Sequence, residues 1–207
     1  EIVVWFARAL KPLSPSLYIA APDVNMAERE VAWFVEANGS RKSATGKPRR
    51  LGGLPHELGS TGFGVAEAAK KALEFLGIPI SGATIAIEGF GNVGIFAFKF
   101  LSEAGARIIA VSDSKGAILN KNGLQYRKVM SAKKKTGSVV NCEEADKITC
   151  SEIFGIKCDV LIPAALPDVI NKSNVENIKA KIIVEGANIS IVPDLVEPLG
   201  KRGVLII

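Results

Sequence analysis

Between Ile85 and Gly94 the chain reads IAIEGFGNVG, an apolar run that meets three glycines at G-x-G-x-x-G spacing and passes directly into a helical pattern. The string alone is weak evidence; its weight comes from what surrounds it. A strand must end at it, a helix must open from it, and an acid must follow roughly twenty residues later. Here Ile85 to Glu88 is the strand, Asn92 opens the helix, and Asp113 closes the next apolar run. Each glycine then has its own task. Gly89 permits a tight turn, Gly91 lets the backbone approach a pyrophosphate, and Gly94 lets helix and strand pack closely. Free N–H groups at the helix start meet the phosphate charge. The segment Gly89-Phe90-Gly91-Asn92-Val93-Gly94 is therefore expected to cradle a dinucleotide.

The pattern on either side supports that context. GFGVAEAAKKALEFLG is a helix closed by Gly77, with Pro79 as a stop signal. ATIAIE, ARIIAVSD, CDVLIPAA, AKIIVEGAN and GVLII are apolar runs, and NVGIFAFKFLSEAG is a helix ending at Gly105. Runs that are continuously apolar belong to strands buried on both faces. Their alternation with helices indicates an α/β fold, a doubly wound and mostly parallel sheet of the Rossmann type. Before residue 60 the pattern differs: an apolar helix from Ile2 to Leu10, an extended LYIAA, an amphipathic helix near Met26 to Ala37, and a polar loop from Asn38 to Pro48. Two parts are expected, 1–59 as an N-terminal helical and extended segment and 60–207 as a dinucleotide-binding domain.

Asp113 is placed to accept hydrogen bonds from the adenosine ribose hydroxyls, which favours NAD by repelling a 2′-phosphate. The hydroxyl of Ser114 and the ammonium of Lys115 are equally suited to hold that phosphate, although Lys115 also fits a solvated turn beside Gly116. NAD and NADP both stay open.

Composition excludes several other classes. The net charge of +5 comes partly from Lys133-Lys134-Lys135 and from Arg41, Lys42, Lys47, Arg49 and Arg50. Neither cluster has interleaved aromatics, so no nucleic acid is expected; solvated surfaces explain both. GSRKSATGKP is no P-loop, because six residues separate Gly39 from Gly46 and Pro48 stands where a magnesium-binding hydroxyl is required. Cys142, Cys150 and Cys158 match no zinc spacing, and the single histidine, His56, is distant and reads as a surface residue. Ordinary reduced thiols and no metal are expected. No apolar run is long enough to span a membrane, and EIVVWFARALKPL lacks the layout of a signal peptide, so a cytoplasmic protein is the expectation.

An ordered set of further motifs carries a resemblance. APDVNM (Ala21 to Met26), TGKP (Thr45 to Pro48), LGG (Leu51 to Gly53) and STGFGV (Ser60 to Val65) precede GFGNVG, AVSDSKG, LIPAA and IIVEGAN. Together they resemble the glutamate dehydrogenases, particularly the archaeal type, in the wider group that includes leucine, phenylalanine and valine dehydrogenases. The resemblance implies reversible, NAD(P)-dependent oxidative deamination of L-glutamate to 2-oxoglutarate and ammonia.

By position, Asp23 matches the family's catalytic aspartate, which moves protons between the amino or imino group and water. A turn or helix cap is the alternative for Asp23. Thr61 matches a threonine at the nicotinamide end, with a helix N-cap as its alternative. Asn92 matches the motif asparagine at the cofactor. Ala164 and Ala165 match a loop lining the adenosine or ribose, and Asn188 an asparagine near the nicotinamide ribose.

Some family features are not found. No glycine-rich lysine motif precedes Asp23, so this chain is expected to be the cofactor-binding part of an incomplete enzyme. The complete protein is expected to be a homohexamer; the state of this chain alone stays open. Tyr18 and Ala20 replace an Asp and a Pro, Pro167-Asp168 replaces Glu-Asn, and Ile189-Ser190 replaces a Gly-Pro turn. A module that binds NAD(P) without turnover, or a dehydrogenase of another amino acid, are the competing functions.

Overall fold

Continuous apolar runs can be buried only if both faces of the sheet they form are covered, and the fold follows from that requirement. A computed structural model describes residues 1–23, 26–54 and 59–207; His56 lies outside the described residues. Two compact units result, Glu1–Gly59 and Ser60–Ile207.

In the first unit, α1 (Ile2–Ala9) packs on α2 (Glu28–Asn38). Ala7, Val31, Phe34, Val35 and Ala44 form the core between them. Asn38 donates from Nδ2 to the Ala7 carbonyl at 3.4 Å. The Glu30 carboxylate accepts from the Ala27 amide at 3.0 Å, which caps α2. Ala20 bridges to Ala44 as a short extended pair.

The second unit runs α3 (Ser60–Phe75), β1 (Thr84–Glu88), α4 (Asn92–Glu103), β2 (Arg107–Asp113), β3 (Gly116–Leu119), α5 (Tyr126–Thr136), β4 (Asp146–Ile148), β5 (Val160–Pro163), β6 (Ile182–Ile183), α6 (Val196–Lys201) and β7 (Leu205–Ile206). The seven strands lie in the order β4-β3-β2-β1-β5-β6-β7. From β2 through β7 the pairings are parallel. β3 and β4 extend the other edge antiparallel.

Successive residues of a strand point to opposite faces, and the core divides accordingly. Ile85 and Ile87 of β1 join Leu73 of α3 with Phe98 and Leu101 of α4. Ala86 between them faces Ile153, Phe154 and Leu161 on the other side. Burial of each Ile or Leu contributes about 1.5–3 kcal/mol, whereas exposed ion pairs such as Lys71–Glu74 add little. Apolar burial therefore organises the unit. The second face is clad mainly by 3-10 turns, at Ser151–Gly155 and Val175–Asn177, and by the short α6. Long helices do not cover it.

The antiparallel edge is the part not anticipated above. β2 turns directly into β3 through Ser114-Lys115, with Asp113 paired to Gly116. Gly116 has φ +151°, and the Asp113 carboxylate accepts from the Lys115 amide at 2.9 Å, so the Asp and Gly that frame the turn also build it.

All three cysteines are free; Cys142 and Cys158 are buried and Cys150 is exposed. Burial pushes the Cys158 thiol up to about 12. A thiol-exchange reagent at pH 8 is expected to titrate Cys150 alone in the native chain and all three cysteines after denaturation. A second reactive thiol in the native state would contradict the packing.

Candidate functional site

The chain leaves β1 on one side of the sheet centre and β5 lies on the other, so the order reverses between these neighbours. An open α/β sheet binds ligands outside the carboxyl ends of its strands at such a reversal. Three glycines shape the turn there, for different reasons. Gly89 has φ +94°, and a Cβ on it would lie 2.8 Å from both Cβ and N of Ala165. A Cβ on Gly94 would lie 1.9 Å from the Gly89 carbonyl oxygen. Gly91, the N-cap of α4, has φ −92° and ψ −160°, which any residue adopts. A Cβ on it would meet nothing within 4 Å. Neither backbone conformation nor internal packing demands glycine at 91. The open space lies beside the first N–H groups of α4, a position suited to a phosphate.

The turn is held from below and from the side. The Gly89 amide donates to the buried Ser112 hydroxyl of β2 at 3.1 Å. The Ala164 amide donates to the Glu88 carbonyl at 2.7 Å, joining the loop after β5 to the end of β1. The amides of Gly186 and Ala187 both donate to the Pro163 carbonyl. A Cβ on Gly186 would lie 3.0 Å from Ala164 Cβ and 3.2 Å from Val93 Cγ1. Val93, Ala164 and the segment leading to Asn188 are thus brought together. Ala165 and Asn188 are exposed at this edge.

The sequence places Phe90 among the cofactor contacts, and here the structure differs. Its side chain is 2% exposed and packs against Phe98, with ring centroids 6.0 Å apart. The position can offer a ligand only its backbone. Thr61 is not the N-cap of α3 but its second residue, and is exposed. Its neighbour Gly62 is tight against α4, where an added Cβ would lie 2.7 Å from the Val93 carbonyl. Asp23 is exposed in the first unit, and its carbonyl accepts from the Met26 amide at 2.9 Å. The residue capping α2 is Ala27, not Asp23.

Asp113 differs most from expectation. Its Oδ1 accepts from the Lys115 amide at 2.9 Å and the Ser138 hydroxyl at 3.0 Å. Oδ2 accepts from Lys133 Nζ at 2.7 Å and the Val139 amide at 2.8 Å. The side chain is 4% exposed. Burial would raise the Asp113 pKa, but the Lys133 ammonium, the two amides and the hydroxyl outweigh it and hold the carboxyl below its usual range. The sequence assigns this carboxylate to the ribose; the structure assigns it to anchoring α5 and the turn that follows.

Glu88 has the opposite fate. The nearby Ala165 and Ala164 amides favour its charged form, yet Oε2 is buried without a partner among the described residues. Burial, the largest effect, pushes its pKa up. Glu88 lies at one end of a cleft of about 740 Å³ whose walls include Leu119, Ile148, Phe154 and Val169. Cys150, also on the cleft, donates to the Asp113 carbonyl at 3.3 Å. Among the described residues no group of three or more His, Cys, Asp or Glu is placed to hold a metal, and no helix is long and apolar enough to cross a membrane.

The sequence profile of the family described as Glutamate/Leucine/Phenylalanine/Valine dehydrogenase matches residues 52–207. The chain belongs to this family. It is 44% identical over 202 residues to the NADP-specific glutamate dehydrogenase of Saccharolobus shibatae, a match covering 94% of this chain and 48% of the relative. It is 40% identical over 210 residues to the glutamate dehydrogenase of Thermotoga maritima, covering 98% and 50% respectively. The hetero-hexameric glutamate dehydrogenase of Thermus thermophilus, in a Leu-bound form, superposes with a TM-score of 0.85 at 27% identity, over 99% of this chain and 50% of that one. The chain spans about half the length of these relatives.

Several residues that build this family member's site escaped the sequence reading. Ser112 holds the Gly89 turn, and its only signal is a hydroxyl inside an apolar strand. Lys133 and Ser138 hold Asp113; GSVV after a basic helix end was the available cue. Glu185 accepts from Ser190 Oγ at 2.7 Å and the Ile191 amide at 3.1 Å, fixing the turn after Asn188.

Because the Glu88 pKa is raised in the fold, its contribution to stability is fully present below its ordinary value near 4.5 and is lost as pH rises through the folded value. Glu88→Gln is therefore expected to be more stable than the native chain by about 1 kcal/mol at pH 7, a charged orphan costing more than a neutral one. The advantage should vanish below pH 4.5. Urea midpoints at the two pH values check this; a Gln variant less stable at pH 7 would contradict it.

Proposed function

We propose that Ser60–Ile207 binds NAD or NADP across the carboxyl edge of β1 and β5, and that the protein catalyses reversible oxidative deamination of L-glutamate to 2-oxoglutarate and ammonia. The observation that carries the binding is the open face at Gly91, at the carboxyl end of β1 and the N-cap of α4, between the tight glycines 89 and 94. The pyrophosphate meets the first amides of α4, fixed in direction by the packing of Gly89 and Gly94. Asn92, Val93 and the backbone of Phe90 line the same turn. The apolar walls of the cleft beyond Glu88 suit a flat base at the adenosine end, with Ala164 and Ala165 beside it. Thr61 and Asn188 serve the nicotinamide end. When bound, the nicotinamide supplies the hydride acceptor or donor.

In this reading Glu1–Gly59 is the end of a substrate domain and its connection. Asp23 acts there as the acid/base, taking a proton from the substrate amino group and returning it to the imine nitrogen or water. The substrate follows from the relatives named glutamate dehydrogenase at 40–44% identity. A homohexamer is proposed for the complete protein; exposed Ile2, Trp5 and Leu17 on the first unit favour an assembly contact. Three free thiols favour a reducing, cytoplasmic location. Binding without turnover is the second reading. A spectrophotometric assay with glutamate and NAD or NADP separates the two.

Gly91→Val is expected to abolish NADH and NADPH binding in calorimetry while the thermal midpoint barely moves, since the new side chain points into open space. Unchanged affinity would remove the site. In the complete enzyme, Asp23→Asn should lower kcat by about 10²- to 10⁴-fold with coenzyme affinity retained. A loss confined to coenzyme binding would refute the acid/base role.

A further inference from the structure

We propose that Glu185 is a positioning residue for the nicotinamide half of the coenzyme: through the Ser190 hydroxyl and the Ile191 amide it clamps the turn that carries Asn188 and holds that side chain toward the ligand. The inference rests on the dinucleotide site proposed above and concerns only the loop after β6.

The first observation is where this loop is tied and where it is strained. Ahead of Asn188, the Gly186 and Ala187 amides donate to the Pro163 carbonyl at 2.8 and 3.0 Å, which fixes the start of the loop to β5. Behind Asn188 the backbone takes a conformation that opposes its own sequence. Ile189 has φ +51°, in the left-handed region that β-branched residues rarely adopt. Its side chain is exposed, so no burial of apolar surface offsets the strain. A turn of this kind keeps its shape only while bonds outside it impose that shape.

The second observation is the bond set that imposes it. Glu185 Oε2 accepts from Ser190 Oγ at 2.7 Å and from the Ile191 amide at 3.1 Å. Ser190 and Ile191 are buried, so removal of this acceptor leaves two donors away from water. The carboxylate reaches from the end of β6 to the residues just beyond Ile189 and closes the loop into a ring around Asn188. The loop after β5 contributes main-chain bonds to the same turn: the Asp168 amide donates to the Ile189 carbonyl and the Ile170 amide to the Ser190 carbonyl, both at 2.9 Å. Ser190 stands where the resemblance places a proline, which has no hydroxyl to give, so the side-chain half of the clamp belongs to this chain.

The adenosine and phosphate side is held by other means. The Ala164 amide is tied to the Glu88 carbonyl at 2.7 Å, and Gly89 sits tight against Ala165. The amides that face a pyrophosphate belong to α4. Loosening the clamp therefore frees Asn188 and leaves the rest of the site in place.

Calorimetric titration of the 207-residue chain with NADH and with ADP-ribose, which lacks the nicotinamide, tests the inference without turnover. NADH should bind the native chain about five- to tenfold tighter, the yield of roughly one hydrogen bond. Glu185→Ala should shrink that margin to about twofold or less by weakening NADH, with ADP-ribose nearly unaffected. Glu185→Gln should keep the margin, because both bonds fall on one oxygen and an amide carbonyl accepts them. An absent margin in the native chain, or an unchanged one in folded Glu185→Ala, overturns the inference and leaves the dinucleotide site standing. Equal weakening of both ligands, the mark of a merely structural role, overturns it as well, and so does a Gln variant that behaves like the Ala variant. If Glu185→Ala does not fold, Ser190→Ala takes its place, and an unchanged margin there is equally decisive. Failure of both ligands to bind the native chain overturns the dinucleotide site itself.

Discussion

Where β1 passes into α4 the chain has no room for a side chain at Gly89 or Gly94 and open space at Gly91. Gly94 sits so close to the Gly89 carbonyl that a methyl group could not enter, and Gly89 is equally tight against Ala165. These contacts fix the direction of α4 relative to β1 and seat the loop after β5 against the turn. Ser112 contributes the one polar restraint from β2, inside an otherwise apolar strand. Interiors packed to this density behave as rigid bodies, so the amides at the start of α4 are pre-aimed before any ligand arrives. Pre-aiming reduces the ordering cost of binding, which is how a surface turn acquires affinity.

Two carboxylates at the ends of adjacent strands show how environment divides identical chemistry. Glu88 closes β1 and Asp113 closes β2. Asp113 turns toward an ammonium, a hydroxyl and two amides, and its charge is stabilised. Glu88 turns toward the apolar cleft with one oxygen unpartnered, and its charge is penalised. The two pKa values move in opposite directions from their ordinary values. Nothing in the strings IAIEG and AVSDS distinguishes the two fates; partners from residues 133, 138 and 139 decide them.

That contrast marks how far the sequence could be read. Strand–helix alternation was legible because burial on both faces leaves uninterrupted apolar runs, and β1, β2 and β5 lie within the runs identified. The tasks of Gly89, Gly91 and Gly94 were legible because glycine has so few reasons to occupy a helix entry. β3 and the edge strand β4 were not: β3 is only four residues long, and β4 has three, of which Asp146 and Lys147 are exposed, so neither carries a strong pattern. The inward turn of the Phe90 side chain was not legible, because membership in a ligand-binding string does not say which way a side chain points. The occupancy of Asp113 was invisible because hydrogen-bond partners 20 to 26 residues away leave no local trace.

Strain accumulates at the same carboxyl edge. Asp168 and Ile189 adopt positive φ, 55° and 51°, and for β-branched Ile189 this costs about 1–2 kcal/mol. Such a conformation persists only where surrounding bonds over-determine it. Here the Asp168 amide donates to the Ile189 carbonyl, the Ile170 amide to the Ser190 carbonyl, and the Val192 amide to the Ile170 carbonyl. The Glu185 carboxylate adds two more restraints from inside. The loops after β5 and β6, which carry Ala165 and Asn188, are therefore stitched to each other as well as to the sheet. A glycine at 189 would relieve the strain but loosen the turn, since it admits many more backbone conformations. The exposed isoleucine that stands there instead keeps the narrower backbone range at the cost of local stability.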